Sequence, residues 1–388
     1  MMIPLLILIF LRPFISSLAL PYANFIHSGL LLIFAAIWII TQGISLKANK
    51  LTLPVTLLCL ALFLSLIFRY NNTAGAQELY KYIGGILILL ICGSLPSQDQ
   101  GRVILSIMIA GILISFLAMH QYFFGFRYLN SYVIKEGITN PFVLDYVRQG
   151  RAFFPFVTPN TLGGYLAMLI PLTFIYKYKA LLVLPLFFAL LLTKSIGALL
   201  SLSLALILYL YLRNRFKKRD ILIFLGLLIT VILVCVIRAQ TQKQHLQPLF
   251  STTMRLNYWQ DTLAIINTRP LSGVGLGNFN LTLSRYSHNS YLQIWAETGI
   301  LGIVAFVWLV TLILHFSLKT LQESPDRRKA AALICSVCVF LIHNLIDFSF
   351  FLPEVSLIWW AILGLLSNRQ TSGKHSLFLN PEPTHFNA

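Results

Sequence analysis

From Val103 to Met119 the chain reads VILSIMIAGILISFLAM, and after Arg102 no Asp, Glu, Lys or Arg recurs until Arg127. About 20 apolar residues carry a helix across the hydrocarbon of a bilayer, and this run has that length. In lipid a lone segment satisfies its own backbone polar groups only as a helix. Comparable runs lie near 3–20, 24–44, 51–68, 82–96, 153–175, 180–194, 195–212, 221–238, 300–317, 330–350 and 352–368. The pattern predicts an all-α, polytopic integral membrane protein with about 12 transmembrane helices. Arg12 and Pro13 interrupt the first run. Only Lys194 and Ser195 divide residues 180–212, where a kink or a re-entrant turn fits equally. The start, Met1 to Phe10, lacks a basic leader and a small-residue cleavage site, and reads as a retained first span.

Composition agrees with this reading. The 388 residues are 57% hydrophobic and 11% charged, whereas a soluble domain has roughly 45–50% apolar and about 25% charged residues. A water-soluble fold is excluded. The net charge of +17 would suggest nucleic acid in a soluble protein. Here basic residues are expected to hold cytoplasmic helix ends and to meet anionic membrane lipids, with no nucleic-acid partner. The alternate loops that include 45–50, 213–220 and 318–329, together with the tail, carry 16 Lys and Arg; the much longer opposite loops carry 12. Both termini are therefore expected in the cytoplasm. Cys59, Cys92, Cys235, Cys335 and Cys338 all fall in apolar runs and read as small hydrophobes.

Two long loops, 126–152 and 239–299, are expected to face outward, and long loops in a compact bundle tend to carry function. The chain accordingly divides into N-terminal spans at 1–125, a region 126–368 that holds both loops, and a disordered cytoplasmic tail at 369–388. Within the second loop, 252–269 predicts a surface helix with Leu256, Trp259, Leu263 and Ile266 on one side, stopped by Pro270. Gly273, Gly275 and Gly277 then read as a backbone turn. Ser287 is expected to cap a short helix, His288 to Glu297, which Gly299 separates from the tenth span.

Positive charge is usually sparse in outward loops, so Arg148, Arg151, Arg255, Arg269 and Arg285 need a reason. Each fits solvent exposure or a lipid headgroup. Two or three converging arginines would instead hold a diphosphate through their planar forks. His288 sits at a helix start, where the dipole keeps the imidazole neutral and able to accept a proton, as a general base must. A capping or hydrogen-bonding role fits the same residue. His245 has no such setting. The outward acids, Glu78, Glu136, Asp145, Asp261 and Glu297, are scattered singly. They do not suggest a metal site, and no cofactor is expected. Asp347 and Glu354 lie near the outer end of the last hairpin, where pairing with arginine or water is as reasonable as chemistry.

Several segments together resemble the O-antigen ligase and polymerase superfamily of bacterial envelope glycosyltransferases. They are Arg151 to Asn160 (RAFFPFVTPN), Arg255 to Trp259 (RLNYW), Arg269 to Phe279 (RPLSGVGLGNF) and His288 to Gly299 (HNSYLQIWAETG), with weaker matches at 193–197 and 343–347. Lys194 departs from the pattern, where relatives often have Ser-Arg. The resemblance implies a metal-independent transferase of glycosyltransferase-C-like architecture in the cytoplasmic membrane. It would move a glycan from an undecaprenyl-diphosphate-linked donor to a hydroxyl on lipid A core or another glycan acceptor, at the periplasmic face. It also implies that Arg151 and Arg255 hold the diphosphate and that His288 is catalytic. Arg148, Tyr258, Trp259 and Asn289 would support the site. Polymerisation of a surface polysaccharide is the alternative within the superfamily. Solute transport is the alternative of another class, although transporters place their polar groups at mid-membrane rather than in outer loops.

Overall fold

The computed structural model describes residues 1–43, 50–67, 72–213, 218–242, 250–321 and 326–368. The tail 369–388, His245 and residues 214–217 of the basic run lie outside the described residues. All regular structure among the described residues is helical. The helices are α1 Met2–Leu11, α2 Pro21–Gln42, α3 Thr52–Ile67, α4 Asn72–Gly93, α5 Ser97–His120, α6 Phe126–Lys135, α7 Pro141–Arg148 and α8 Pro159–Leu169. There follow α9 Lys179–Thr193, α10 Ile196–Arg213, α11 Lys218–Gln242, α12 Phe250–Thr268, α13 Ser290–Lys319, α14 Arg327–His343 and α15 Pro353–Ser367.

Every apolar run read from the sequence forms a helix, but not every helix has full crossing length. Among the described residues 6 are long and apolar enough to cross a membrane: α2, α4, the continuous stretch Ser97–Lys135, α10, α11 and α13. The runs at 3–20, 51–68, 153–175, 180–194 and 352–368 form shorter apolar helices, and 330–350 forms α14. The causes are local. Pro13 ends α1 in a short 3-10 turn, Arg12–Phe14. Pro171 sits in the 3-10 segment Ile170–Ile175 that follows α8. Lys194, in the left-handed conformation at φ 49°, turns the chain out of α9.

The stretch 126–152, expected as a loop, is largely helical. A π-helical turn at Gln121–Gly125 links α5 directly to α6, because no proline intervenes before Pro141. Gln121 then faces the Arg151 segment, and its Oε1 accepts the backbone N–H groups of Phe153 at 2.8 Å and Phe154 at 2.9 Å.

The N-terminal helices are built into the same core as the rest. α4 packs along α15, α3 along α13 and α1 against α5. One buried apolar cluster runs from Leu5 to Leu366. Small residues set the approach: a Cβ on Gly364 would lie 2.5 Å from the Leu89 carbonyl oxygen, and one on Gly85 2.3 Å from Trp360 Nε1. Arg12, which interrupts the first run, is buried and paired at 3.4 Å with Glu354, so these two charges answer each other. Cys335 and Cys338 sit one turn apart on α14 within the apolar core and its margin.

Candidate active site

Arg151 follows α7 and is fully buried. Its Nε donates to the Thr193 carbonyl at 3.0 Å, one Nη donates to Asn160 Oδ1 at 2.9 Å, and the other Nη lies 4.0 Å from Asp145. Tyr146 stands under the guanidinium at 5.2 Å. Burial pushes the Arg151 pKa down to about 9, and the charge of Arg238 adds to the effect. The group remains cationic at neutral pH. Lys194, on the adjoining turn, donates to the Gln149 carbonyl.

Arg255 projects from the first turns of α12. Its Nε donates to the Ile346 carbonyl at 3.0 Å and an Nη to the Ser251 carbonyl at 3.3 Å. Burial lowers its pKa while Asp347 pulls it back. The two arginines share a frame. Asn160, which accepts from Arg151 and from Ser195 Oγ at 3.1 Å, presents its carbonyl to His343 Nε2 at 3.1 Å. The same His343 nitrogen lies 3.4 Å from Asp347, one residue beyond the Ile346 carbonyl that anchors Arg255. Burial pushes the Asp347 carboxyl up, but the bonds and charge of His343 and the Ser349 hydroxyl outweigh it, leaving the pKa below the ordinary value.

His288 stacks on Tyr258 of α12 at 5.4 Å and meets Phe348 edge-on at 4.8 Å. Its backbone is left-handed, at φ 53°. Histidine is among the residues that visit this region more often than most, and such positions gather at functional sites. The pKa is lowered to about 4, first by burial, then by the charge of Arg255, with Asp347 opposing. The ring is thus neutral, as read from the sequence, but burial and Arg255 keep it so. The helix starts only after the next residue. Asn289, not Ser287, is the cap: its side chain accepts from the N–H groups of Tyr291 and Leu292. Ser287 instead bonds both backbone groups of Asn289. Gly299, at φ 69°, breaks the helix as expected.

Ties to the α14–α15 connection fix His288 relative to the arginines. Ser290 bonds Asn344 through its backbone N–H at 2.9 Å and its hydroxyl at 2.7 Å, and Tyr291 donates to the Leu341 carbonyl at 2.8 Å. Gly273, Gly275 and Gly277 all have positive φ, confirming a backbone turn; a Cβ on Gly273 would strike the Glu297 carbonyl oxygen at 2.5 Å.

A cavity of about 480 Å³ opens between α10, α11, α12 and the end of α14. Arg238, Arg255, Asn160, Ser195 and His343 are among its polar lining residues; Leu200, Cys235, Leu256, Trp259 and Ile346 are among its apolar ones. The helix expected over 252–269 is observed as α12, and its apolar side is only partly free to meet a membrane, since Ile266 is buried. Tyr258, Thr262 and Ile266 face the protein, whereas Leu256 is 50% and Leu263 43% exposed. Tyr258 is held by His288 and Thr262, and the leucines are left for lipid.

Residues 180–307 match the family model described as O-antigen ligase. Over this segment the chain is similar to the O-antigen ligase family. The matched segment runs from α9 into α13 and carries Arg238, Arg255 and His288, while Arg151, His343 and Asp347 lie outside it. No curated protein matches the chain.

Within this helical fold the sequence-derived candidates separate by position. Arg255 and Trp259 line the cavity, Arg151 stands behind Asn160, and His288 lies against Tyr258 within the field of Arg255. Trp259 Nε1 also points at the His288 carbonyl, at 3.5 Å. Asn289 is committed to its cap. Arg148 and Arg269 are exposed, and Arg285 pairs with Glu78 at 3.2 Å, so none of these three is among the residues lining the cavity. Sequence reasoning gave Asn160, His343 and Arg238 no role. The first two stood in quoted motifs, and Arg238 was hidden at the end of an apolar run.

Proposed function

We propose that this protein transfers a glycan from an undecaprenyl-diphosphate carrier to an acceptor hydroxyl at the outer face of the cytoplasmic membrane, in the manner of an O-antigen ligase. The observation that carries this reading is one cavity lined both by two arginines, Arg238 and Arg255, and by apolar side chains, among them the half-exposed Leu256. A diphosphate joined to an isoprenoid tail needs both surfaces at once. Anchored arginines suit a leaving group because they meet growing charge without rearranging. Arg255 is held by Ile346, and Arg151 by Thr193 and Asn160.

In the reaction, the acceptor oxygen forms a bond to the anomeric carbon. The bond from that carbon to the phosphate oxygen breaks, its electron pair leaves with the diphosphate, and the acceptor proton passes to His288. Attack opposite the leaving group inverts the anomeric configuration. In the empty site His288 is a weak base, held at about 4 by burial and Arg255. A bound diphosphate offsets the charge of Arg255, so the ring gains basicity when the donor is present. Asp347 works in the same direction.

The test is transfer of glycan by the purified protein in a lipid bilayer supplied with lipid-linked donor and acceptor, with and without a chelator. Turnover in chelator and its loss in His288→Ala support the reading. Wild-type activity in His288→Ala removes the base. Deletion in the host assigns the acceptor: uncapped lipid A core marks a ligase, and single repeats in place of chains mark a polymerase.

A further inference from the structure

We propose that Arg238, at the end of α11, is a third arginine that grips the diphosphate and takes up the charge set free as the glycosidic bond breaks. The inference rests on the reading above. Arg238 lines the same cavity as Arg255. Past Asp220 it is the one charged residue of α11, whose exposed residues around it are Ile229, Ile232, Leu233, Val236 and Ile237. A lone charge on a lipid-facing helix is expensive unless it has a task.

Its hydrogen bonding separates it from the other two arginines. Arg151 and Arg255 each spend Nε on a backbone carbonyl. The Nε of Arg238 is buried with no hydrogen-bond partner. The charge of Arg238 also bears on Arg151 and Lys194, lowering both pKa values. No Asp or Glu lines the cavity among the described residues; the main counter-charge acting on Arg238 is Asp145, which also lies 4.0 Å from Arg151. Cations crowded about a cavity in this way make an anion's arrival favourable, and a guanidinium with an uncommitted face is ready to meet it.

The chemistry needs such a group. The donor is a diphosphate diester with two negative charges. When the carbon–oxygen bond breaks, the electron pair stays on the phosphate oxygen and the diphosphate gains a further negative charge, while the acceptor proton goes to His288. Arg151 and Arg255 are held in place before the reaction. Arg238 supplies additional donors to the more highly charged product.

Binding of undecaprenyl diphosphate to the purified protein in nanodiscs tests this, with inorganic diphosphate as a second probe, comparing wild type, Arg238→Gln, Arg238→Lys and Arg255→Gln. Arg238→Gln is expected to weaken undecaprenyl diphosphate binding by at least about tenfold, with Arg238→Lys between it and wild type. The acid limb of the pH–rate profile, set by His288, should stay where it is, since that shift belongs to Arg255. Wild-type affinity in Arg238→Gln alongside weakened binding in Arg255→Gln overturns the role of Arg238 and leaves the site intact. No binding by wild type, or none lost in Arg255→Gln, overturns the reading of the site. Should Arg238→Gln fail to fold, Arg238→Lys decides: affinity equal to wild type for both probes contradicts the need for a planar fork.

Discussion

With His288 as the proposed base, its protonation sets the pH dependence expected of the site. A base works only when unprotonated, so activity is expected above the His288 pKa and should fall as pH drops through about 4. Arg255→Gln removes a charge that holds this pKa down. The acid limb of kcat/KM should therefore move to higher pH, on top of a lower rate; an unmoved limb contradicts the coupling. Arg255→Lys keeps the charge but loses the Nε bond to Ile346. It is expected to lower kcat/KM by about 10²-fold, as loss of an oriented donor to a charged transition state does. Full activity in that variant means a point charge is sufficient. Arg151, Arg255 and His288 could be singled out because a loop expected to face outward has little other use for them. Arg238 was not, since its neighbours in sequence are apolar and only folding brings it beside Arg255. His343 and Asp347 were unassigned for the same reason: Asn160, which joins them to Arg151, comes from a distant segment.

At the level of the helix, Asn289 separates capping from chemistry. Its side chain satisfies two orphan N–H groups at the start of α13. Asn289→Ala is expected to cost about 1 kcal/mol and to displace His288, whereas Asn289→Ser or Asn289→Asp restores the cap and should restore transfer. Failure of both to rescue, in a stably folded protein, assigns the side chain a role at the substrate. Gln121 acts at longer range through the π-helical turn. Gln121→Ala releases the N–H groups of Phe153 and Phe154, loosening the segment that begins at Arg151. A rise in KM for the donor larger than the fall in kcat is expected from steady-state kinetics. The sequence revealed α12 as a helix but grouped Ile266, which is buried, with the exposed Leu256 and Leu263. Apolar periodicity marks a stripe without telling protein from lipid, and here Tyr258 and Thr262 turn inward while Leu256 and Leu263 turn out. Similarly, Ser287 resembles a cap in sequence, but Asn289 has the backbone geometry to be one.

Across the molecule, the proposed site depends on helices far from it in sequence. α3 lies along α13, which begins just after His288, and α4 along α15, so helices before residue 96 brace elements next to the site. Gly364→Ala should force α4 from α15, because the new Cβ meets the Leu89 carbonyl oxygen at 2.5 Å. A loss of about 1–3 kcal/mol is expected, read as a lower Tm in detergent without a change in the pH profile. An unchanged Tm contradicts this close contact. Hydropathy exposed the helical membrane architecture at once, since the bilayer leaves an isolated segment no other form. It did not show which runs would be shortened by proline or by the Lys194 turn. The most direct measurement is single-turnover transfer from purified undecaprenyl-diphosphate-linked glycan by wild type and His288→Ala in nanodiscs. Glycan released onto the acceptor by wild type alone, with donor still bound by the variant, is the expected result; equal transfer by the two proteins contradicts the account.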